Sequence, residues 1–352
     1  MNDALVIPFD DDDRSATVRS LMRQTGIARF MAVEGVTEVK VNRPGEIATE
    51  TKDGWERHEV PECTLARMQK LANALVIFDK KGQISAQDPI KPITLPDGER
   101  GQVLVPPAIE PGTVSLTIRI PSDKRFTIDQ LHDFGSFEGY RDVSPNLDVP
   151  SDIVLKEFEL DMLEAKRTRD TTRFFQLAID NRLNMMLIGG TGSGKTTVMK
   201  ALADMVPHDT CVGTIEDVHE LTLPYHWNHV HMFYSDALPA REIVRSSLRM
   251  KFDRVYLAEL RGDEAWDYLS LLNTGHQGGL TTVHANDCIS AFPRVATLIK
   301  QSPVGLNLDW NFVLNEVRRT IDVVLFMEKG SKRMTELYFD PVEKWKMQRG
   351  RA

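Results

Sequence analysis

From residue 183 onward the chain sets short runs of consecutive apolar residues between longer stretches in which apolar positions recur every three or four residues. The runs are MMLI at 185–188, CVGTI at 211–215, RVYLAEL at 254–260, GLTTVH at 279–284 and DVVLFM at 322–327. Runs that are apolar at nearly every position suit strands buried on both faces, and the periodic stretches between them suit helices. Strand and helix in alternation predict an α/β domain with a mostly parallel sheet flanked by helices, and ligands at the carboxyl ends of the strands.

The first third of the chain reads differently. Residues 14–31 have helical spacing, with Val18, Leu21 and Met22 on one side and Arg14, Arg19, Arg23 and Arg29 on the remainder. Such a basic amphipathic helix fits either a domain surface or an anionic membrane. Residues 36–60 then read as three strands joined by Pro44-Gly45 and Asp53-Gly54 turns, and residues 64–79 as a helix with Leu65, Met68, Leu71, Ala72, Leu75 and Val76 on one face. Residues 113–120 alternate, so Leu116, Ile118 and Ile120 share a face and Arg119 points to the other. The expected organisation is a smaller α+β domain over 1–133, a Gly-, Ser- and Pro-bearing linker over 134–165 and the α/β domain over 166–352. Residues 1–13 read as a solvated tail, and 344–351 as a frayed basic end.

Composition narrows the function classes. The 352 residues leave room for two cores, and 41% hydrophobic with 27% charged residues is ordinary for a globular chain. A formal charge of -8 works against non-specific nucleic-acid binding, which needs a positive field. Cys63, Cys211 and Cys288 are never in C-x-x-C spacing, so neither a disulfide framework nor a zinc site is suggested and a reducing cytoplasm fits. The opening MNDALVIPFDDDDR lacks a positive n-region, and no run approaches the ~20 apolar residues of a membrane span. Any membrane contact is therefore expected to be peripheral.

The loop after the first apolar run carries the strongest chemistry. Residues 185–200 read MMLIGGTGSGKTTVMK, with Gly189, Gly194, Lys195 and Thr196 at the spacing G-x-x-x-x-G-K-[ST]. Such a loop turns the backbone N–H groups of Gly189, Gly190, Thr191, Gly192, Ser193 and Gly194 inward on a phosphate and delivers it to a helix N-terminus. Lys195 then reaches the β and γ phosphates, the Thr196 hydroxyl serves Mg²⁺, and Thr197 carries the helix on. A Gly/Ser-rich turn with an incidental lysine has no reason to fill every fixed position between a strand and a helix. The motif predicts a bound nucleoside triphosphate.

Three further clusters follow apolar runs and are expected at the same sheet edge. Thr214-Ile215-Glu216-Asp217-Val218-His219-Glu220 crowds three carboxylates into five residues, a strain that a cation or a proton-accepting task would relieve. As a solvated acidic loop it would need no such account. Residues 254–264, RVYLAELRGDE, end an apolar strand in Glu259, the Walker B pattern in which a carboxylate orients Mg²⁺ and its waters. Residues 274–284, TGHQGGLTTVH, bring His276 and His284, each equally readable as an ordinary polar group at a strand end.

In this order a P-loop, a TIED-x-x-E box, a glutamate-ended LAELRG strand and a TGH-x-G…T-x-x-H box resemble the secretion (traffic) ATPase superfamily, hexameric motors of type II secretion, type IV pili and type IV secretion. In the first half Val41-Asn42-Arg43-Pro44-Gly45-Glu46, Gly98-Glu99-Arg100-Gly101-Gln102, Pro106-Pro107 and residues 115–122 around Arg119 resemble the VirB-type ATPases of type IV secretion and conjugation. Ala258-Glu259 departs from the Asp-Glu ending of many P-loop motors, Val218 stands where pilus motors commonly carry Pro, and the missing C-x-x-C pairs depart from the zinc-bearing type II assembly ATPases.

The resemblance implies a RecA-like fold for the α/β domain, ATP and Mg²⁺ as cofactors, a homohexameric ring, and contact with other type IV secretion components at the cytoplasmic face of the inner membrane. It assigns phosphate and metal binding to Lys195 and Thr196 and a place beside the metal to Glu259. Glu220 polarises the attacking water, with Glu216 and Asp217 as metal-shell or orienting groups. His276 and His284 sense the γ-phosphate, and Arg100 and Arg119 bring positive charge to it. Arg245, Arg249 and Arg261 are candidates for contacts across a subunit boundary. The alternatives are a type IV pilus or type II secretion motor, a nucleic-acid translocase, which the net acidity and the lack of a basic, aromatic-interleaved strip disfavour, and a GTP switch, for which no N-K-x-D tetrad is present.

Overall fold

The computed structural model describes residues 11–349 apart from 52, 121–123, 147 and 236. It divides into two compact units, Met1–Asp123 and Lys124–Ala352. Of the tail expected over 1–13, residues 1–10 lie outside the described residues, as do the last three of the chain, while 11–13 already belong to a helix.

The first unit runs α1 (Asp11–Gln24), α2 (Ile27–Met31), β1 (Glu38–Val41), β2 (Glu46–Thr51), β3 (Gly54–Glu59), α3 (Leu65–Phe78), β4 (Ile90–Thr94), β5 (Arg100–Leu104) and β6 (Ser115–Arg119). Its strands form one antiparallel sheet in the order β3-β2-β1-β6-β5-β4. Val39, Val41, Ile47, Val103, Leu116 and Ile118 point inward and meet Met68, Leu71, Leu75 and Val76 of α3, as the alternation and the helical spacing require. Thr64 accepts the Arg67 N–H and caps α3 at the expected start.

Two expectations change here. The single helix over 14–31 is two, because Gly26 sits at φ +79° and a Cβ there would stand 3.0 Å from both Glu62 and Val60. The apolar face of α1 is spent inside the unit, with Val18 and Met22 buried in its core, so that face has no membrane to meet. On the sheet, Arg100 lies directly opposite Arg119, and Arg119 opposite Glu38, so the three side chains share one face.

The second unit runs α4 (Ile128–Asp133), β7 (Arg141–Asp142), α5 (Glu157–Thr168), α6 (Thr171–Asp180), β8 (Met185–Ile188), α7 (Lys195–Asp204), β9 (Val212–Glu216), β10 (His229–Phe233), α8 (Ala240–Ser247), β11 (Arg254–Leu257), α9 (Glu264–Asn273), β12 (Leu280–Val283), α10 (Cys288–Lys300), α11 (Trp310–Thr320), β13 (Val323–Met327), β14 (Met334–Phe339) and α12 (Pro341–Gln348). Its sheet has the order β10-β9-β11-β12-β8-β13-β14-β7, parallel at every junction except β13 with β14. The mixed α/β architecture with a parallel-rich sheet is the one expected. Met185 and Leu187 face one core with α4 to α7, while Met186 and Ile188 face a second with α8 to α11. Helices cover both faces, which is why the strands read as unbroken apolar runs.

Residues 134–165, expected as a linker, belong to this unit. Phe137, Tyr140, Met162 and Ala165 are buried in its core, and Ser144 and Asn146 bind Phe339 and Asp340 at the end of β14. Lys166, almost fully buried, donates to Ser144 and to the Phe339 carbonyl and pairs with Asp142 at 2.8 Å. Burial pulls its pKa down, against the pull of Asp142. The basic end expected to fray is helical through Gln348, started by Asp340, which accepts the Glu343 N–H.

Candidate functional site

The strands β8, β9, β11 and β12 run parallel, so their carboxyl ends open on one edge of the sheet, and the motifs that follow them meet there. The P-loop leaves β8 at Gly189, which is buried at φ +139° with the Met327 carbonyl so close that a Cβ would stand 2.2 Å from it. Only glycine fits that turn. Gly190, Thr191 and Gly192 are exposed, and Ser193 is buried with a hydroxyl that has no hydrogen-bond partner among the described residues. A buried hydroxyl without a partner, in a glycine-turned loop at a helix N-terminus, suits an acceptor-rich ligand. Gly194 caps α7, Lys195 opens it, and Thr196 and Thr197 stand half-buried in its first turn. The Lys195 ammonium donates to the carbonyls of Gly189 and Gly190 at 2.8 and 2.9 Å, so its charge sits over the mouth of the loop.

Glu216 is the last residue of β9 and is fully buried. One carboxylate oxygen, Oε2, accepts the backbone N–H groups of Glu220 and Leu221 at 2.9 and 2.7 Å, and the other, Oε1, accepts the Thr214 hydroxyl at 3.0 Å. Its negative charge therefore folds the acidic loop back on the strand and fixes where Glu220 stands. Asp217, one residue further and half-buried, turns the other way.

Glu259 and His284 complete the cluster. Beyond β11 the chain stays tied to β12, with Leu260 donating to the Thr282 carbonyl and the Thr282 hydroxyl to the Ala258 carbonyl. This brings Glu259 to His284, whose Nε2 is 3.1 Å from the Glu259 carboxylate and whose Nδ1 is 3.0 Å from the Gly189 carbonyl. One imidazole thus spans the P-loop and the Walker B glutamate. Arg261 bonds Glu259 at 2.6 Å and Asp217 at 2.9 Å, joining β9 and β11. The Glu259 carboxylate, and then Asp217, raise the Arg261 pKa, so it stays charged. Asp217, Arg261, Glu259, His284 and Gly189 form one continuous chain of contacts across four motifs.

Three sequence expectations fall out differently. His276 precedes β12, and Gly278 and Gly279 beside it donate to Asn184, the residue before β8. Because β8 and β12 are parallel and in register, the TGH box lies at the amino edge of the sheet, and four-residue strands, about 13 Å, separate it from the P-loop of its own chain. Arg261, expected at a subunit boundary, is bound within the chain. Arg245 likewise pairs with Asp267 at 2.9 Å. Arg261 is the site residue that sequence reasoning undervalued: the L-R-G-D-E string named it, but nothing in the string says which two carboxylates it clamps. Arg100 and Arg119 lie in the first unit, on adjacent strands.

The donors suit the implied cofactors. Carboxylates of Asp217 and Glu259 with the Thr196 hydroxyl are hard oxygen ligands of the kind Mg²⁺ takes, and the glycine-turned loop with its unpartnered Ser193 hydroxyl suits a phosphate.

A parallel sheet whose P-loop, acidic box, glutamate-ended strand and strand-end histidine converge at one edge defines a secretion ATPase, and residues 152–325 match the family described as type II/IV secretion system protein. The chain is 38% identical over 319 residues to the type IV secretion system protein VirB11 of Brucella suis, covering 87% of this chain and 86% of that protein. It is 35% identical over 352 residues to the type IV secretion system protein PtlH of Bordetella pertussis, covering 96% and 98%. The crystal structure of the VirB11 ATPase from the Brucella suis system superposes with a TM-score of 0.53 at 36% identity, over 94% of this chain and 99% of that one. The chain belongs to the VirB11 family of type IV secretion ATPases. Among the described residues, no helix is long and apolar enough to cross a membrane.

Proposed function

We propose that this chain binds Mg²⁺-ATP on residues 189–197, hydrolyses it, and as a hexameric ring at the cytoplasmic face of the inner membrane powers assembly of, or export through, a type IV secretion channel. The observation that carries the reading is the contact chain from Gly189 through His284, Glu259 and Arg261 to Asp217, which links every motif that phosphoryl transfer needs. The loop amides, Lys195 and the Ser193 hydroxyl hold the phosphates. Thr196, Asp217 and Glu259 hold Mg²⁺, which when bound neutralises charge on the phosphate oxygens. Glu220, placed by Glu216, orients and polarises the attacking water.

Arg100 and Arg119 stand opposite each other on β5 and β6, so their side chains share one face of the sheet. They are our candidates for the positive charge that answers the γ-phosphate during turnover.

Phosphate release and equilibrium binding of a fluorescent ATP analogue test the reading in wild type and Lys195→Gln. Wild type should bind and hydrolyse only with Mg²⁺, and the variant should fail to hydrolyse; wild-type turnover by Lys195→Gln refutes the assignment. Light scattering with and without ATP tests the ring.

A further inference from the structure

The acidic loop has a second face that the ATPase chemistry does not use. Five of the chain's nine histidines, His208, His219, His226, His229 and His231, fall within residues 208–231. Their rings form a pair and a string of three: His208 lies 5.8 Å from His226, while His229 lies 4.7 Å from His231 and His231 4.3 Å from His219, centroid to centroid, and His229 Nδ1 meets the His226 carbonyl. The string ends on Glu216.

We propose that Glu216, His219 and His231 form a binding site for a divalent transition metal of the zinc class, separate from the Mg²⁺-nucleotide site. One ligand atom from each lies within 4.8 Å of the other two. His219 Nδ1 stands 3.6 Å and His231 Nδ1 3.8 Å from Glu216 Oε1. Ligands about 2.1 Å from one tetrahedral ion are roughly 3.4 Å apart. The two carboxylate edges are thus already close to closure, and the histidine pair needs a movement of about 1 Å.

Each ligand is positioned by the fold. Glu216 ends β9, and its Oε2 is taken by the Glu220 and Leu221 amides, which leaves Oε1 turned to the imidazoles. His231 sits on β10 directly beside Thr214 of β9, whose hydroxyl lies 2.7 Å from His231 Nδ1 and 3.0 Å from Glu216 Oε1. A metal takes His231 through that nitrogen with the ring proton on Nε2, while Thr214 keeps its bond to Glu216 as an outer-shell partner. His219 is 43% exposed and supplies the entrance, and β10 is the edge strand of the sheet, so the site opens to solvent.

The donor set decides the metal. Two imidazoles and one carboxylate suit zinc, nickel or copper, whereas Mg²⁺ takes oxygen ligands and keeps its waters. His219 immediately precedes Glu220, so a bound ion ties the loop down at the residue beside the proposed water-polarising glutamate, an effect that rests on the function proposed above. Metal binding itself does not.

The test is equilibrium dialysis of untagged, EDTA-stripped protein against Zn²⁺ with metal analysis, together with the visible spectrum of the Co²⁺ form. The expected result is one Zn²⁺ per chain, retained in millimolar Mg²⁺ and in Lys195→Gln, with visible Co²⁺ bands of a low-coordinate nitrogen and oxygen site. His219→Gln, an exposed change that leaves the core alone, and His231→Gln should each weaken binding at least tenfold, while His229→Gln changes it a few-fold at most. Substoichiometric binding, displacement by Mg²⁺, or unchanged affinity in the folded His219→Gln, His231→Gln double variant, as when a cysteine thiol takes the ion instead, overturns the proposal.

Discussion

Replacing Glu216 by glutamine keeps the shape of the side chain, removes its charge and turns one acceptor oxygen into an NH2 donor, which can sit against the Thr214 hydroxyl while the carbonyl oxygen keeps the two amides. In the wild type Oε2 accepts two backbone N–H groups, those of Glu220 and Leu221, from a fully buried position. A hydrogen bond to a charged acceptor contributes about 1.5–3 kcal/mol and a neutral one about 0.5–1.5, so each bond weakens by about 1 kcal/mol and the pair by about 2. Burying a neutral amide in place of a carboxylate offsets part of this. At about 2–4 °C per kcal/mol for a unit of this size, Tm should fall by up to about 8 °C.

The sharper readout is local. Amide hydrogen exchange at Glu220 and Leu221 should accelerate by up to roughly 30-fold, the equivalent of 2 kcal/mol, while the amides of β8 and β12 stay protected. With Glu220 no longer held, kcat should drop while the ATP Kd holds, because in this reading residues 189–197, not the acidic loop, carry the phosphates. Unchanged protection at both amides, or lost ATP binding with intact turnover of the bound fraction, refutes the idea that the Glu216 charge folds the loop.

Arg261→Gln releases Asp217 and Glu259 from their shared partner; kcat should fall about tenfold, equivalent to about 1.4 kcal/mol of barrier, with nucleotide Kd within about threefold, and lost binding would place Arg261 in the cradle instead. Asn184→Ala removes bonds to Gly278, Gly279 and the Thr320 carbonyl at a buried position; about 3 kcal/mol should be lost, while kcat at 25 °C changes less than twofold because the brace lies at the far edge, so impaired turnover at normal Tm would contradict that placement. Burial first, then His219 and His229, push the His231 pKa down to about 4 from 6.5. Its folded form resists protonation, so in EDTA this contribution to stability is complete above pH 6.5 and is lost as pH falls toward 4, by about 1–2 kcal/mol once the opposing Glu216 carboxylate at 3.8 Å is counted. His231→Gln should flatten denaturation midpoints over that window, and an identical slope in the variant removes His231 as the cause.

The P-loop, Glu259 and His284 were legible because each motif directly follows an apolar run, and a parallel sheet sends every such position to one edge. The same rule, applied to strand direction, separates His276 from them: its box comes before its strand. Residues 134–165 misled for a different reason. Asp142, Ser144 and Asn146 have the composition of solvated turn residues, and only the folded chain shows their polar atoms turned to Lys166, Phe339 and Asp340. One α1–α2 helix was read where Gly26 makes two, since the contact that excludes a side chain there comes from Val60 and Glu62, more than thirty residues on. Arg261 was visible as a charge but not as a clamp, because an arginine's partners are chosen in space.

The last strand pairing has a consequence for synthesis on the ribosome. β7, at residues 141–142, pairs with β14, at 334–339, and Ser144 waits for Phe339, 195 residues later. The first unit has its whole sheet in hand by residue 119 and is free to fold while translation continues. The ATPase unit stays unclosed until residues 334–339 have been made, with the apolar rim of β13 bare in the meantime, so nascent chains stalled before residue 334 should be the ones that chaperones hold.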